Sequence, residues 1–344
     1  MRKLRGALLG AGNIAIRGHA PQWTRGEGLR DRVEIVAVAD LAPDNLAQAR
    51  ELVPGVRTYE RAEDLLASEE LDFCDICTPP FTHRELVEAG ASRGIHIVCE
   101  KPLAMTREEG AAISKAVRGA GVVFQPCHQY RFSPQWKTVH DLWPELGRVF
   151  LAEYEVSRTA ANPGNTHWAP SWRTDLRLSG GGILVDHGGH VFYQLRALLG
   201  EPLRVQATIR TLKHHDYAVE DSAFVLLDFG DRLASVRLTW ASSRREIRYR
   251  FVGESGELVG DDRTVRLHTR GEAREFDFGS GMSADSSHSD WYLPLFLEFS
   301  ERVNARDTAT GGLDEALYVT NLIDCAYRSS ESGRAIDFAG TTDG

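Results

Sequence analysis

The chain has few cysteines, no long apolar run and no surplus of basic residues, and each shortage excludes something. Its five cysteines (Cys74, Cys77, Cys99, Cys127, Cys325) are odd in number and sit mostly inside apolar stretches. That argues against a disulfide framework and for buried thiols in a reducing compartment. Cys74 and Cys77 form a C-x-x-C inside a predicted strand, Phe73–Thr78, where residues three apart point to opposite faces, so no shared metal or redox pair is expected. No apolar run approaches the ~20 residues that cross a bilayer, and no membrane partner is expected. Asp and Glu outnumber Lys and Arg by 49 to 40, giving a net charge of −9 and no general basic footprint for nucleic acid. The charged start, Met1-Arg2-Lys3, is followed by residues broken by Gly6, Gly10 and Gly12. It reads as a first strand and turn, not a signal peptide, and a cytoplasmic protein is expected.

What is present is length, glycine and a repeated alternation. With 344 residues, 42% of them hydrophobic, the chain can bury two cores, and a division into residues 1–127 and 128–344 is expected. Leu4 to Leu9 leads into Gly10-Ala11-Gly12-Asn13-Ile14-Ala15, a G-x-G-x-x-A turn. Gly10 allows the tight turn, Gly12 lets a pyrophosphate approach the backbone, and Ala15 lets the next helix pack closely. The pyrophosphate would rest on that helix's first amides. A second apolar strand, Val33–Ala39, ends on Asp40, placed to accept hydrogen bonds from an adenosine ribose. Leu41 follows, with no arginine or serine for a 2′-phosphate, which favours NAD over NADP.

Further strands are expected at Val56–Tyr59, Leu71–Thr78, Ile95–Cys99 and Val122–Gln125, with helices between them, one of them capped by Thr82. Repeated β-α units predict a doubly wound parallel sheet of the α/β class. Thr78-Pro79-Pro80 and Glu100-Lys101-Pro102 both fall at strand carboxyl ends, on the rim of the glycine turn, where open parallel sheets bind ligands. Lys101 there is placed to give a proton to, or take one from, an oxygen of a bound molecule.

The second half begins with a crossover, His128–Ser133, and a helix, Pro134–Leu146. After a strand over Val149–Thr159, Ala160–Ser179 is long, polar and tryptophan-bearing, which suits a flap; Trp172 could equally fill a local core. Gly180-Gly181-Gly182 precedes a helical pattern, Ile183 to Leu199, that puts Asp186 and His190 four apart on one face. A histidine is well matched to proton transfer near neutral pH, and Asp186 could orient it, support its charge or bind a substrate hydroxyl. A metal site from Asp186, His187 and His190 lacks a further ligand cluster, and no metal is expected. Strands are expected over Leu203–Leu212, Ser222–Phe229, Leu233–Ala241 and Ile247–Val252, then helices to about Asn304 and over Leu313–Arg328, with a frayed tail from Gly340.

Taken together, Gly10–Ala15, Cys77-Thr-Pro-Pro-Phe-Thr-His83, Glu100-Lys-Pro102, Tyr130-Arg-Phe-Ser-Pro134, Trp172-Arg-Thr-Asp175 and Gly180–His190 resemble the Gfo/Idh/MocA family, the glucose-fructose oxidoreductase and inositol 2-dehydrogenase group. The resemblance covers nearly the whole chain. It implies a Rossmann domain followed by an α+β domain with a large, mainly antiparallel open sheet through which homodimers or homotetramers form. It implies a nicotinamide cofactor against Gly10, Gly12, Asn13, Ile14, Asp40, Thr78, Pro79, His83, Glu100 and Lys101. It implies Lys101, Asp186 and His190 as the catalytic set on a small polyhydroxylated substrate, a sugar or cyclitol. Arg131, Trp172, Arg173, His288 and Tyr292 join them as substrate contacts, Arg131 being as readily a structural anchor. The expected reaction moves a hydride between nicotinamide and a secondary alcohol or ketone. Two rivals use the same fold: NAD-assisted elimination or hydrolysis of a glycoside, and non-catalytic dinucleotide binding. Tyr193 and Gln194 stand where many relatives carry an acid, which implies different substrate contacts.

Overall fold

The alternating segments of the first half form a six-stranded parallel sheet in the computed structural model, which describes residues 2–164, 166–285 and 287–338. Its strands are β1 (Leu4–Leu9), β2 (Val33–Ala39), β3 (Arg57–Tyr59), β4 (Phe73–Ile76), β5 (His96–Cys99) and β6 (Phe124–Pro126), in the order β3-β2-β1-β4-β5-β6. Every residue of β4 is buried, as a strand covered on both faces requires. The pairings Leu9↔Ala39, Leu9↔Ile76, Ile76↔Cys99 and Cys99↔Pro126 bring Gly10, Asp40, Cys77, Glu100 and Cys127 to one rim. All five cysteines are free and buried.

The second sheet has nine strands, β7 (Val149–Ser157), β8 (Arg204–Arg210), β9 (Ser222–Asp228), β10 (Leu233–Thr239), β11 (Glu246–Gly253), β12 (Gly256–Asp261), β13 (Thr264–Thr269), β14 (Glu272–Asp277) and β15 (Ile336–Asp337). Their order is β14-β13-β12-β11-β7-β10-β9-β8-β15; β7 and β10 pair parallel and the other neighbours antiparallel. Sequence reading missed β12 to β14, although Asp262-Arg263 and Arg270-Gly271 sit at hairpin positions. Strict burial alternation in β8 marks a sheet with one covered face. The helices Gly189–Leu199 and Gly311–Ser332 supply residues to that covered core.

The two sheets are tied together from the far end of the chain. Tyr292, Leu295, Phe296, Phe299 and Val303, on the helix Ser289–Ala305, join the core under β1 and β2, where Phe296 stacks on Trp23 at 3.9 Å. Truncating a buried phenylalanine such as Phe296 costs about 3–5 kcal/mol.

Two local departures matter for the site. Thr82 caps nothing: its hydroxyl donates to Thr78 Oγ1 and Pro79 O, and the helix His83–Ala91 starts after a 3-10 turn. The helix after the triple glycine begins in a π turn, Leu184–Gly188, so Asp186 and His190 do not share a regular α-helical face. A second π turn, Ala15–His19, follows the glycine loop. Such wide turns recur at functional sites because they re-aim side chains. The tail from Gly340, expected to fray, lies outside the described residues.

Candidate active site

A cavity of about 550 Å³ runs from the rim of the first sheet to the edge of the second. At Gly10 the chain leaves β1 with φ of 92°, and a Cβ there would strike Thr78. At Gly12 a Cβ would meet no protein atom within 4 Å, so that side of the backbone is open for close approach by a pyrophosphate. Asp40 fixes this loop: Oδ2 accepts from Ala11 N (2.7 Å), and Oδ1 accepts from Ala42 N (2.8 Å) and Asn45 Nδ2 (3.0 Å). Asn13, Ile14, Thr78 and Pro79 also line the cavity, and the set fits a dinucleotide. His83 lies elsewhere than expected. It is buried behind the rim, with Nδ1 2.9 Å from Pro102 O and Nε2 2.9 Å from Thr78 O, so it braces the two turns and is not part of this cavity's lining.

Glu100 and Lys101 diverge where β5 ends. The Glu100 carboxylate turns inward: Oε1 lies 3.1 Å from His19 Nε2 and accepts from Tyr292 Oη at 2.7 Å. His19 Nδ1 meets Asp75 Oδ2 at 2.8 Å, and that oxygen also accepts from Trp23 Nε1 at 2.7 Å. Burial opposes charge on His19, but Asp75 outweighs it and holds the imidazole well above its usual 6.5. Burial likewise opposes charge on Glu100, and the bond from His19 overcomes it, leaving the carboxyl below its usual range. Glu100 and Tyr292, expected as ligand contacts, line the cavity, while the Glu100 carboxylate and the Tyr292 hydroxyl are bonded into an internal network. Cys127 brings its sulfur within 4.8 Å of the His19 and Asp75 ligand atoms, which are already bonded to each other.

Lys101 turns the other way. Its Nζ donates to Asp186 O (3.0 Å) and lies 3.2 Å from Asp186 Oδ1, joining the first sheet to the second half. Burial would raise the Asp186 carboxyl; Lys101, then His187 and Arg173, outweigh it and hold the group well below 3.8. Arg173 Nε is 3.7 Å from Asp186 Oδ1. His187 Nδ1 comes within 3.1 Å of Oδ2 but without the alignment of a hydrogen bond, and burial pushes it down to about 4. His190 makes no hydrogen bond to Asp186, so of the roles open to that carboxylate, orienting the imidazole through a direct bond is not the one seen; it acts on the ring through its charge. Its ring packs on Tyr130 at 4.3 Å and its Nδ1 is buried without a partner. Burial, then Lys101, holds this imidazole well below 6.5, so it is neutral at pH 7.

The polar loop after β7 covers the site. Trp168 stacks parallel to Phe81 of the rim, His167 Nδ1 lies 3.1 Å from Asp44 Oδ2, and Trp168 and Trp172 both line the cavity. Trp172 is thus flap, not local core. Its ring also carries the Arg173 guanidinium, 4.2 Å from the centroid. His288 lines the cavity, stacks on Trp291 at 3.7 Å and lies 3.3 Å from Tyr130 Oη. Arg131 does not reach it. That side chain is exposed, over Phe132. Sequence reading missed Gln129, Tyr130, Arg158 and Arg245, all in the cavity wall. Tyr130 stood in a motif already noted; Arg158 and Arg245 carried no signal until strand pairing set them side by side.

Residues 4–128 match the model described as the oxidoreductase family with an NAD-binding Rossmann fold, and residues 144–259 match the GFO/IDH/MocA C-terminal domain. A D-apiose dehydrogenase from Paraburkholderia graminis is 30% identical over 98% of this chain and 90% of its own length. A D-xylose 1-dehydrogenase (NADP(+)) from Haloferax volcanii is 28% identical over 96% of this chain and 98% of its own. Among solved structures, levoglucosan dehydrogenase in complex with NADH has the same fold, with a TM-score of 0.83 at 20% identity over 98% of this chain and 99% of the other. No described helix is long and apolar enough to cross a membrane.

Proposed function

This chain belongs to the Gfo/Idh/MocA family of oxidoreductases, and from that premise we propose that it is an NAD-linked dehydrogenase of a secondary alcohol on a sugar, cyclitol or related polyol. One observation carries this reading: Lys101 from the first half meets Asp186 from the second, 3.2 Å apart, in a cavity that also holds the glycine loop and His190. When bound, nicotinamide supplies the hydride acceptor. His190, neutral at pH 7, takes the hydroxyl proton of the substrate. Lys101 hydrogen-bonds the same oxygen and stabilises the charge that develops there. Asp186 holds the lysine in place through two contacts. In the reducing direction the proton moves back. The tryptophan loop excludes water and offers ring faces to the C–H side of a sugar.

NAD is favoured over NADP by the charge at the adenosine end. Asp40, Glu60 and Glu63 line it, and the one cation among them, Arg61, is 3.3 Å from Glu63. A 2′-phosphate would meet a net negative wall. The exposed face of the second sheet carries Leu151, Phe224, Leu226 and Leu233, and this surface pairs with a second copy. Sedimentation of a Leu226→Glu, Leu233→Glu variant as a monomer, against an oligomeric parent, would support that pairing.

The test of function is a panel of aldoses, cyclitols and their acid and amino derivatives with NAD⁺, read by NADH absorbance. Net NADH from a free polyol is the expected result. Cleavage of a glycoside without net NADH would replace this reading with borrowed-hydride elimination.

A further inference from the structure

We propose that the substrate carries a carboxylate, received by Arg158 and Arg245 at the second-sheet wall of the cavity. The inference rests on the dehydrogenase reading and narrows its substrate to a sugar acid or cyclitol acid. Four cations from Lys101 onward line the cavity: Lys101, Arg158, Arg173 and Arg245. The second half contributes one carboxylate to the lining, Asp186, and that group is already shared by Lys101 at 3.2 Å and Arg173 at 3.7 Å. Arg158 and Arg245 are left without an acid.

Their neighbours are neutral acceptors. Arg158 sits just past β7 and is 2% exposed, and its Nη1 donates to the carbonyl oxygens of Ser157 and Glu246. Its Nε is buried with no partner at all. Arg245, just before β11, donates to Asn162 Oδ1. Among the described residues neither has a carboxylate within ion-pair distance; Asp262 acts on Arg158 only from farther off. A buried guanidinium with an unmade N–H is costly unless an anion completes it, because the cation has lost its hydration and gained no counter-charge. The two positions are adjacent because β7 pairs with β11 through Ser157↔Glu246. The result is a cationic wall with unused donors on a cavity whose other cations are spent.

A carboxylate suits this wall better than a phosphate. Two planar guanidinium groups on the cavity wall present in-plane donors suited to a group with two oxygens. Phosphate sites commonly add a helix N-terminus or a nest of backbone amides for the third oxygen, and Arg158 and Arg245 sit at strand ends, neither of them at a helix start.

The test compares matched substrates with NAD⁺: an aldose or cyclitol, its carboxylate form and its phosphate ester. The carboxylate form is expected to exceed its neutral parent in kcat/KM by about 100-fold, the scale of a buried donor left unpaired. Arg158→Met and Arg245→Met should each narrow that ratio about tenfold or more through KM. If Arg158→Met does not fold, the ratio in Arg245→Met decides. Equal or better turnover of the neutral parent, a preference for the phosphate, or an unchanged ratio in the folded variants overturns the carboxylate while leaving a dehydrogenase in place. No NADH from any member of the panel overturns the dehydrogenase reading itself.

Discussion

Glu100 and Lys101 are consecutive in the chain and belong to opposite kinds of polar cluster. On the Glu100 side, His19, Asp75, Trp23 and Tyr292 meet in a closed network in which donors face acceptors and cation faces carboxylates. On the Lys101 side, the cluster of Asp186, His187, His190 and Arg173 opens on the cavity, with buried ring nitrogens of both histidines unpartnered. The closed network fixes where β5 ends. The open one faces the place where a reacting molecule would sit. A satisfied buried cluster therefore reads as scaffold, and an unsatisfied one facing a cavity reads as chemistry.

Substitutions on each side should separate stability from turnover. His19→Leu leaves Asp75 and Glu100 buried without their cation, and should lower unfolding stability by about 3–5 kcal/mol in denaturant titration. Its pH signature follows from the raised His19 pKa. The histidine's contribution is complete below about pH 6.5 and is lost as pH rises towards the folded-state value, so the parent should lose up to about 1.4 kcal/mol per pH unit above 6.5. His19→Leu should lack that slope; an identical slope in both would place the titration elsewhere. Glu100, whose folded pKa is depressed, contributes above its usual 4.5 and loses that contribution as pH falls through the folded value.

On the open side, the lowered pKa of His190 predicts that the acid limb of oxidative kcat/KM falls well below pH 6.5, since the base must be neutral. An acid limb at 6.5 or above would remove His190 from that role. The smallest effect is expected at the flap. Trp168→Ala, losing its stack on Phe81, should raise KM by about five- to tenfold, roughly 1 kcal/mol, with unfolding stability near the parent's.

Much of the first half was legible, because buried parallel strands are continuous apolar runs punctuated by glycine and proline, and their carboxyl ends are where ligand turns belong. Gly10, Gly12, Asp40 and Lys101 could be placed on one rim from that alone. The closed network could not: His19 gives no sign of burial, and the one clue was an acid, Asp75, inside the apolar run Phe73–Cys77. Arg158 and Arg245 lie 87 residues apart and become neighbours only through β7–β11 pairing. Asp186 and His190 were read on a regular helix, and the π turn at Leu184–Gly188 breaks that spacing, which is why the carboxylate serves Lys101 and not the histidine.

The division between the two sides turns on Lys101, so the most direct measurement takes turnover, NADH affinity and unfolding midpoint on one preparation of Lys101→Met. Turnover lower by about 10²- to 10⁴-fold, with cofactor binding and midpoint close to the parent's, is the predicted result. Near-parental turnover, or a loss of turnover that tracks a loss of folding, would contradict it.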